Sequence, residues 1–78
     1  MVDTRLAEKI ATEVAHEYAR LKSLPKNLAP KRIDFNLILL TSVTKRVSSG
    51  DEIAELKSSV VRIMAERRKR HVRFYHHN

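Results

Sequence analysis

Between Asp3 and Leu21 the apolar side chains return every three or four positions: Leu6, Ala7, Ile10, Ala11, Val14, Ala15, Tyr18 and Leu21. That spacing lays them along one side of a helix and leaves Arg5, Lys9, Thr12, Glu13, His16 and Arg20 on the other. Asp3 or Thr4 is placed to accept from the unpaired N–H groups of the first turn. The pattern predicts a helix over 4–22. Ala7, Ala11, Ala15 and Ala19 also form a row at four-residue spacing, which favours helix and lets a second helix approach closely.

Residues 23–31, SLPKNLAPK, break the periodicity. Pro25 and Pro30 lack an N–H and disfavour helix in the residue before each, so a linker is expected. Leu24 and Leu28 are the residues expected to pin it to the core.

The next stretch, RIDFNLILLTSVTKRV, fits two periods. Read as a helix over 32–48, it puts Ile33, Leu37, Leu40, Val43 and Val47 on one face. Phe35, Ile38 and Leu39 then widen that face almost to a full circle, as in a central buried helix. Read as a strand over 32–40, Ile33, Phe35, Leu37 and Leu39 alternate with Arg32, Asp34, Asn36 and Ile38. No second strand candidate exists in the chain, so such a strand would pair with its copy across a dimer. That arrangement resembles the ribbon-helix-helix repressors, whose paired strands enter the DNA major groove. Their order needs two full helices after the strand, and Thr41–Val47 leaves room for only two turns. The helix is therefore the expectation, with the ribbon as its alternative.

A third helix is predicted over 50–73. Ser49 and Glu52 stand at capping-box spacing, and Ile53, Leu56, Val60, Ile63 and Met64 form an apolar stripe. Acids at Asp51 and Glu52 and bases at Arg67–Arg70 complement the helix dipole at its two ends. The fold class read from these periods is all-α: one small three-helix domain over 1–78 with a basic C-terminal arm at 66–78.

Length sharpens this picture. Seventy-eight residues form one marginal core, and small domains of this size commonly add disulfides, metals or subunits. The chain has no cysteine, which leaves a helical homodimer as the expected source of added stability. No apolar run approaches the roughly 18 residues that span a bilayer. The opening MVDTRLAEKI carries acids and no hydrophobic signal core, so a cytoplasmic protein is expected.

Charge is distributed unevenly. The formal net charge is +7. Residues 1–24 carry four bases and four acids, whereas residues 25–50 carry five bases and one acid. From Arg67 to Asn78 there is no acid at all. A neutral first third and a basic remainder point to a polyanion as partner.

The ending ERRKRHVRFYHHN concentrates the signal. Arg67, Arg68, Lys69, Arg70 and Arg73 supply charges that neutralise phosphates and release counterions, with Arg62, Lys69 and Arg73 on one stripe opposite Ile53, Val60 and Ile63. Phe74 and Tyr75 are suited to stacking on unpaired bases. Lys45 and Arg46, with the linker lysines, are expected to extend the same surface. An ordinary helix end in which Glu66 pairs with Lys69 and Arg70 is the plainer reading, but one glutamate cannot neutralise five cations. The expectation is a non-enzymatic nucleic-acid-binding protein, DNA or RNA, that also self-associates. The alternative is an adaptor or inhibitor that docks on an acidic protein.

Other chemistry finds little support. His16, His71, His76 and His77 have no carboxylate or cysteine at ligand spacing, so no metal site or cofactor is expected. The single glycine opens a helix, and no phosphate-cradling loop or paired-carboxylate motif occurs. A polybasic end with two aromatics could lie on anionic lipid, yet mixed-charge polar faces and Ala-rich apolar ones suit protein packing better.

Overall fold

A computed structural model of the chain describes the backbone of residues 3–75 and the side chains of residues 3–70. It contains three helices, α1 (Thr4–Lys22), α2 (Phe35–Thr44) and α3 (Gly50–Tyr75), and no strand among the described residues. No described helix is long and apolar enough to cross a membrane.

Helix α1 starts where the capping chemistry allows. Asp3 Oδ1 accepts from the Arg5 N–H at 2.9 Å, satisfying one donor that the first turn leaves open. Ala7, Ile10, Ala11 and Val14 are fully buried. Ala15 and Ala19 are exposed, so the alanine row serves the core of its own chain in its first half only. At the far end Arg20 makes a fork to Glu17 at 2.7 and 2.9 Å. That hydrogen bond, with the charges of Arg20 and Lys45, holds the Glu17 carboxyl below its ordinary value.

Helix α2 is shorter than the period implied. Residues 32–34 lie outside it, and Asp34 is its N-cap, with Oδ1 accepting from the Leu37 N–H at 3.2 Å. Ile33 and Ile38, both half-buried, flank that cap at the spacing of a hydrophobic staple. The helix ends at Thr44 rather than 48. Thr41 and Thr44 turn their hydroxyls back onto the carbonyls of Leu37 and Leu40, and Val43 and Thr44 are β-branched; both features weaken helix propagation.

The rotation of α2 also differs from expectation. Leu39 and Val43 are buried, whereas Leu37 is 60% exposed and Leu40 39%. The face expected to be central is therefore partly solvent-facing. In the linker, Leu24 is half-buried but Leu28 is 65% exposed. A turn from Pro25, whose carbonyl accepts from Leu28 and Ala29, carries Leu28 outward.

Helix α3 spans 26 residues, about 39 Å at 1.5 Å per residue. Ser49 contributes its backbone carbonyl to the Ile53 N–H at 2.9 Å; the reciprocal side-chain bonds of a capping box are not among the described hydrogen bonds. Leu56 and Val60 complete the core, and Phe35, Ile38, Val47, Ile53, Ile63 and Met64 pack around it.

The resulting body measures 39 × 37 × 15 Å, little more than one helix layer thick. Its radius of gyration is 14.2 Å, against about 11.5 Å for a compact chain of this length. Two cross-links hold the layer. Arg46 donates to the Glu13 carboxylate and, at 3.1 Å, to the Ser42 carbonyl, joining α2 to α1. Arg67 donates to Thr12 Oγ1 at 3.1 Å and to the Glu8 carbonyl at 3.4 Å, joining α3 to α1. Both Arg46 partners lose their bond in Arg46→Ala, which should cost about 1 kcal/mol in a urea titration. Arg46→Lys should recover only part of that, because an ammonium cannot reproduce the guanidinium fork.

Candidate nucleic-acid interface

Arg67 bonds Thr12 and the Glu8 carbonyl, so α3 meets the first half of α1 where its basic run begins. Leu56, Val60, Ile63 and Arg67 recur at four, three and four residues, so the side facing α1 passes from apolar anchors to a bonded guanidinium.

On the remaining circumference, Arg62, Arg68, Lys69 and Arg70 are exposed. None of them has an ion-pair partner among the described residues, and Glu66 pairs with neither Lys69 nor Arg70. Arg62 and Lys69, two turns apart, share the solvent side with Arg70 nearby. Arg62 borders a shallow depression with Asn36, Leu39 and Lys57, between α2 and α3.

The other expected site residues are distributed differently. Arg67 is half-buried and committed to α1. Arg46 is likewise bonded within the chain. Lys45 is exposed but lies in the groove between α1 and α2, with Glu13 and Glu17. Acids thus accompany Lys45 and Arg46, and neither joins the cations of α3. Arg73, Phe74 and Tyr75 occupy the last turn of α3, and their side chains lie outside the described residues.

A groove of about 540 Å³ opens between α1 and α3, walled by Ala11, Ala15, Phe35, Val61, Met64 and Ala65, with Arg67 and Arg68 also lining it. The small residues Ala11, Ala15 and Ala65 leave the space. Their spacing signals close helix approach, but not whether the gap is filled by the chain itself.

Comparison with protein-family models, with curated proteins and with solved structures finds no match to this chain. Surface chemistry is what remains to indicate function.

Proposed function

We propose that this chain is a nucleic-acid-binding protein that grips the phosphate backbone through the C-terminal half of α3, without catalysis. The observation that carries this reading is the cluster of exposed cations along two turns of α3. Arg20 and Arg46 are held by Glu17 and Glu13. Arg62, Arg68, Lys69 and Arg70 stand exposed on one long rigid helix with only Glu66 among them. A rigid helix holds these charges in register with a backbone at little further cost in order, and each phosphate neutralised releases counterions.

The test is a gel-shift panel with duplex DNA, single strands and structured RNA at two salt concentrations. Binding at low salt that weakens steeply at high salt supports the proposal; no shift with any of the three at low salt overturns it. A second reading, docking on an acidic protein, draws on the groove beside Arg67 and Arg68. Competition by unrelated DNA separates the two, since only nucleic-acid binding is displaced by it.

Self-association belongs to the same proposal. The accessible surface is 6543 Å² for a 9.1 kDa chain, where a compact monomer of that mass exposes about 4,900 Å². The excess, together with exposed Leu37 and Leu40, favours a homodimer. Sedimentation at micromolar concentration should report twice the chain mass, and a clean monomer there removes this part of the reading.

A further inference from the structure

Helix α2 carries no charged residue, unlike α1 and α3. Leu39 and Val43 form its core side. On the opposite side Leu37, Leu40, Thr41 and Thr44 stand at i, i+3, i+4 and i+7, which makes them one stripe. All four are exposed. The threonines ask little of water: Thr41 donates to the Leu37 carbonyl at 2.8 Å and Thr44 to the Leu40 carbonyl at 2.9 Å. A stripe whose hydroxyl donors are already bonded loses little when it is covered. In a chain of net charge +7, an uncharged face is unsuited to a polyanion and suited to a protein surface.

The charges that bound the stripe select the partner. Asp34 is the N-cap of α2 and Lys45 its C-cap. They lie about 16 Å and three turns apart, which returns both to the same edge of the stripe. Both are exposed, and neither has an ion-pair partner among the described residues. Glu13 and Glu17, which share a groove with Lys45, are bonded to Arg46 and Arg20. A second copy turned end for end sets Asp34 of each chain against Lys45 of the partner subunit. Parallel packing would oppose Asp34 to Asp34 and Lys45 to Lys45, and like charges so placed repel. The edge is thus complementary to itself about a two-fold axis, as an isologous contact requires.

We infer that two copies of this chain pair antiparallel through α2, each covering the other's Leu37 and Leu40, with an Asp34–Lys45 pair at either end. The inference rests on the homodimer reading above and names its surface and its direction. The accessible surface of 6543 Å² exceeds that of a compact monomer by more than the roughly 800 Å² that each partner gives up in a standard interface. Apolar cover supplies the affinity, and the exposed ion pairs, weak individually, set the direction. Leu37 and Leu40 lie outside the core cluster, so each chain folds before it pairs. The stripe uses no cation of α3, which leaves Arg62, Lys69 and Arg70 open in the dimer's own chains.

The test is sedimentation of the full chain over a concentration series without nucleic acid. The parent should report a dimer. Leu37→Glu places a carboxylate in the stripe and should weaken that dimer by roughly a hundredfold or more. Its helix content by circular dichroism should match the parent's. At dilutions where the parent itself dissociates, its urea midpoint should match as well. Val61→Glu, at an exposed apolar position on α3, should leave the dimer intact. Lys45→Glu turns both end pairs into repulsions and should weaken it by roughly tenfold. Cross-linking reads the direction, since the chain has no cysteine of its own. A mixture of Asp34→Cys and Lys45→Cys chains should form the mixed disulfide in preference to either symmetric one. A dimer that persists in Leu37→Glu, or a preference for symmetric disulfides, overturns the antiparallel α2 pairing and leaves the homodimer reading standing. A parent that stays monomeric overturns both.

Discussion

Leu39→Ala should destabilise the fold by roughly 2–5 kcal/mol, the cost of removing a large core side chain and leaving a cavity. Leu39 is 1% exposed and joins Ile10, Val14, Val43 and Val60 as the largest fully enclosed side chains. Among the described residues only eight make up this core, and two of them are Ala7 and Ala11. At roughly 0.05–0.15 kcal/mol per residue, the whole domain holds about 4–12 kcal/mol, so one such truncation removes a large share. The companion variants give the comparison its force. Leu37→Ala and Leu40→Ala, on the open side of α2, should cost under about 1 kcal/mol each. Urea titration followed by circular dichroism measures all three. Equal losses at Leu37 and Leu39 would mean either that α2 is rotated from the arrangement described here, or that a second chain covers its outer face.

That contrast shows where the sequence speaks and where it does not. Helix α1 is legible because its polar and apolar positions separate cleanly, leaving one orientation that buries Ile10 and Val14. Helix α3 is legible for the same reason, through Leu56 and Val60. Helix α2 is apolar almost all round, from Phe35 to Leu40, so no polar face says which side turns inward. Packing against α1 and α3 decides it, and burial falls on Leu39 and Val43 instead of Leu37 and Leu40. The start of α2 did carry a signal. Asp34, three residues before Leu37, is an N-cap by spacing alone, and the longer period from Ile33 obscures it.

The candidate surface divides along similar lines. Exposure of Arg62, Lys69 and Arg70 follows from helical periodicity, because they lie away from the Leu56–Val60 stripe. The commitment of Arg46 to Glu13 and of Arg67 to Thr12 does not follow from it. Those bonds join residues 33 and 55 positions apart, and local spacing is silent on such pairs. A run of five basic residues is thus a run of unequal ones. Arg67 is a clamp between helices, and its loss should unsettle the fold before it unsettles binding. The groove stayed hidden for the same reason, since it exists only once α1 and α3 pack together.

Exchanging Arg62, Lys69 and Arg70 together for Gln should weaken nucleic-acid binding on every sequence alike. It should also flatten the dependence of log affinity on log salt. Each phosphate contact contributes about −0.9 to that slope on duplex DNA, so three lost contacts make it shallower by about 2.7. Between 50 and 200 mM salt, the parent's affinity should then fall about 40-fold further than that of the variant. Stability should change little, because all three side chains are exposed and none is bonded within the chain among the described residues. Arg67→Gln gives the opposite profile: it removes the bonds to Thr12 and the Glu8 carbonyl, so the urea midpoint should drop while the salt slope stays closer to the parent's. Filter binding across a salt series, with urea titrations on the same preparations, separates the two effects. A triple variant with the parent's slope and affinity would show that these cations do not meet phosphate. The exposed helix end would then have to serve the acidic-protein reading instead.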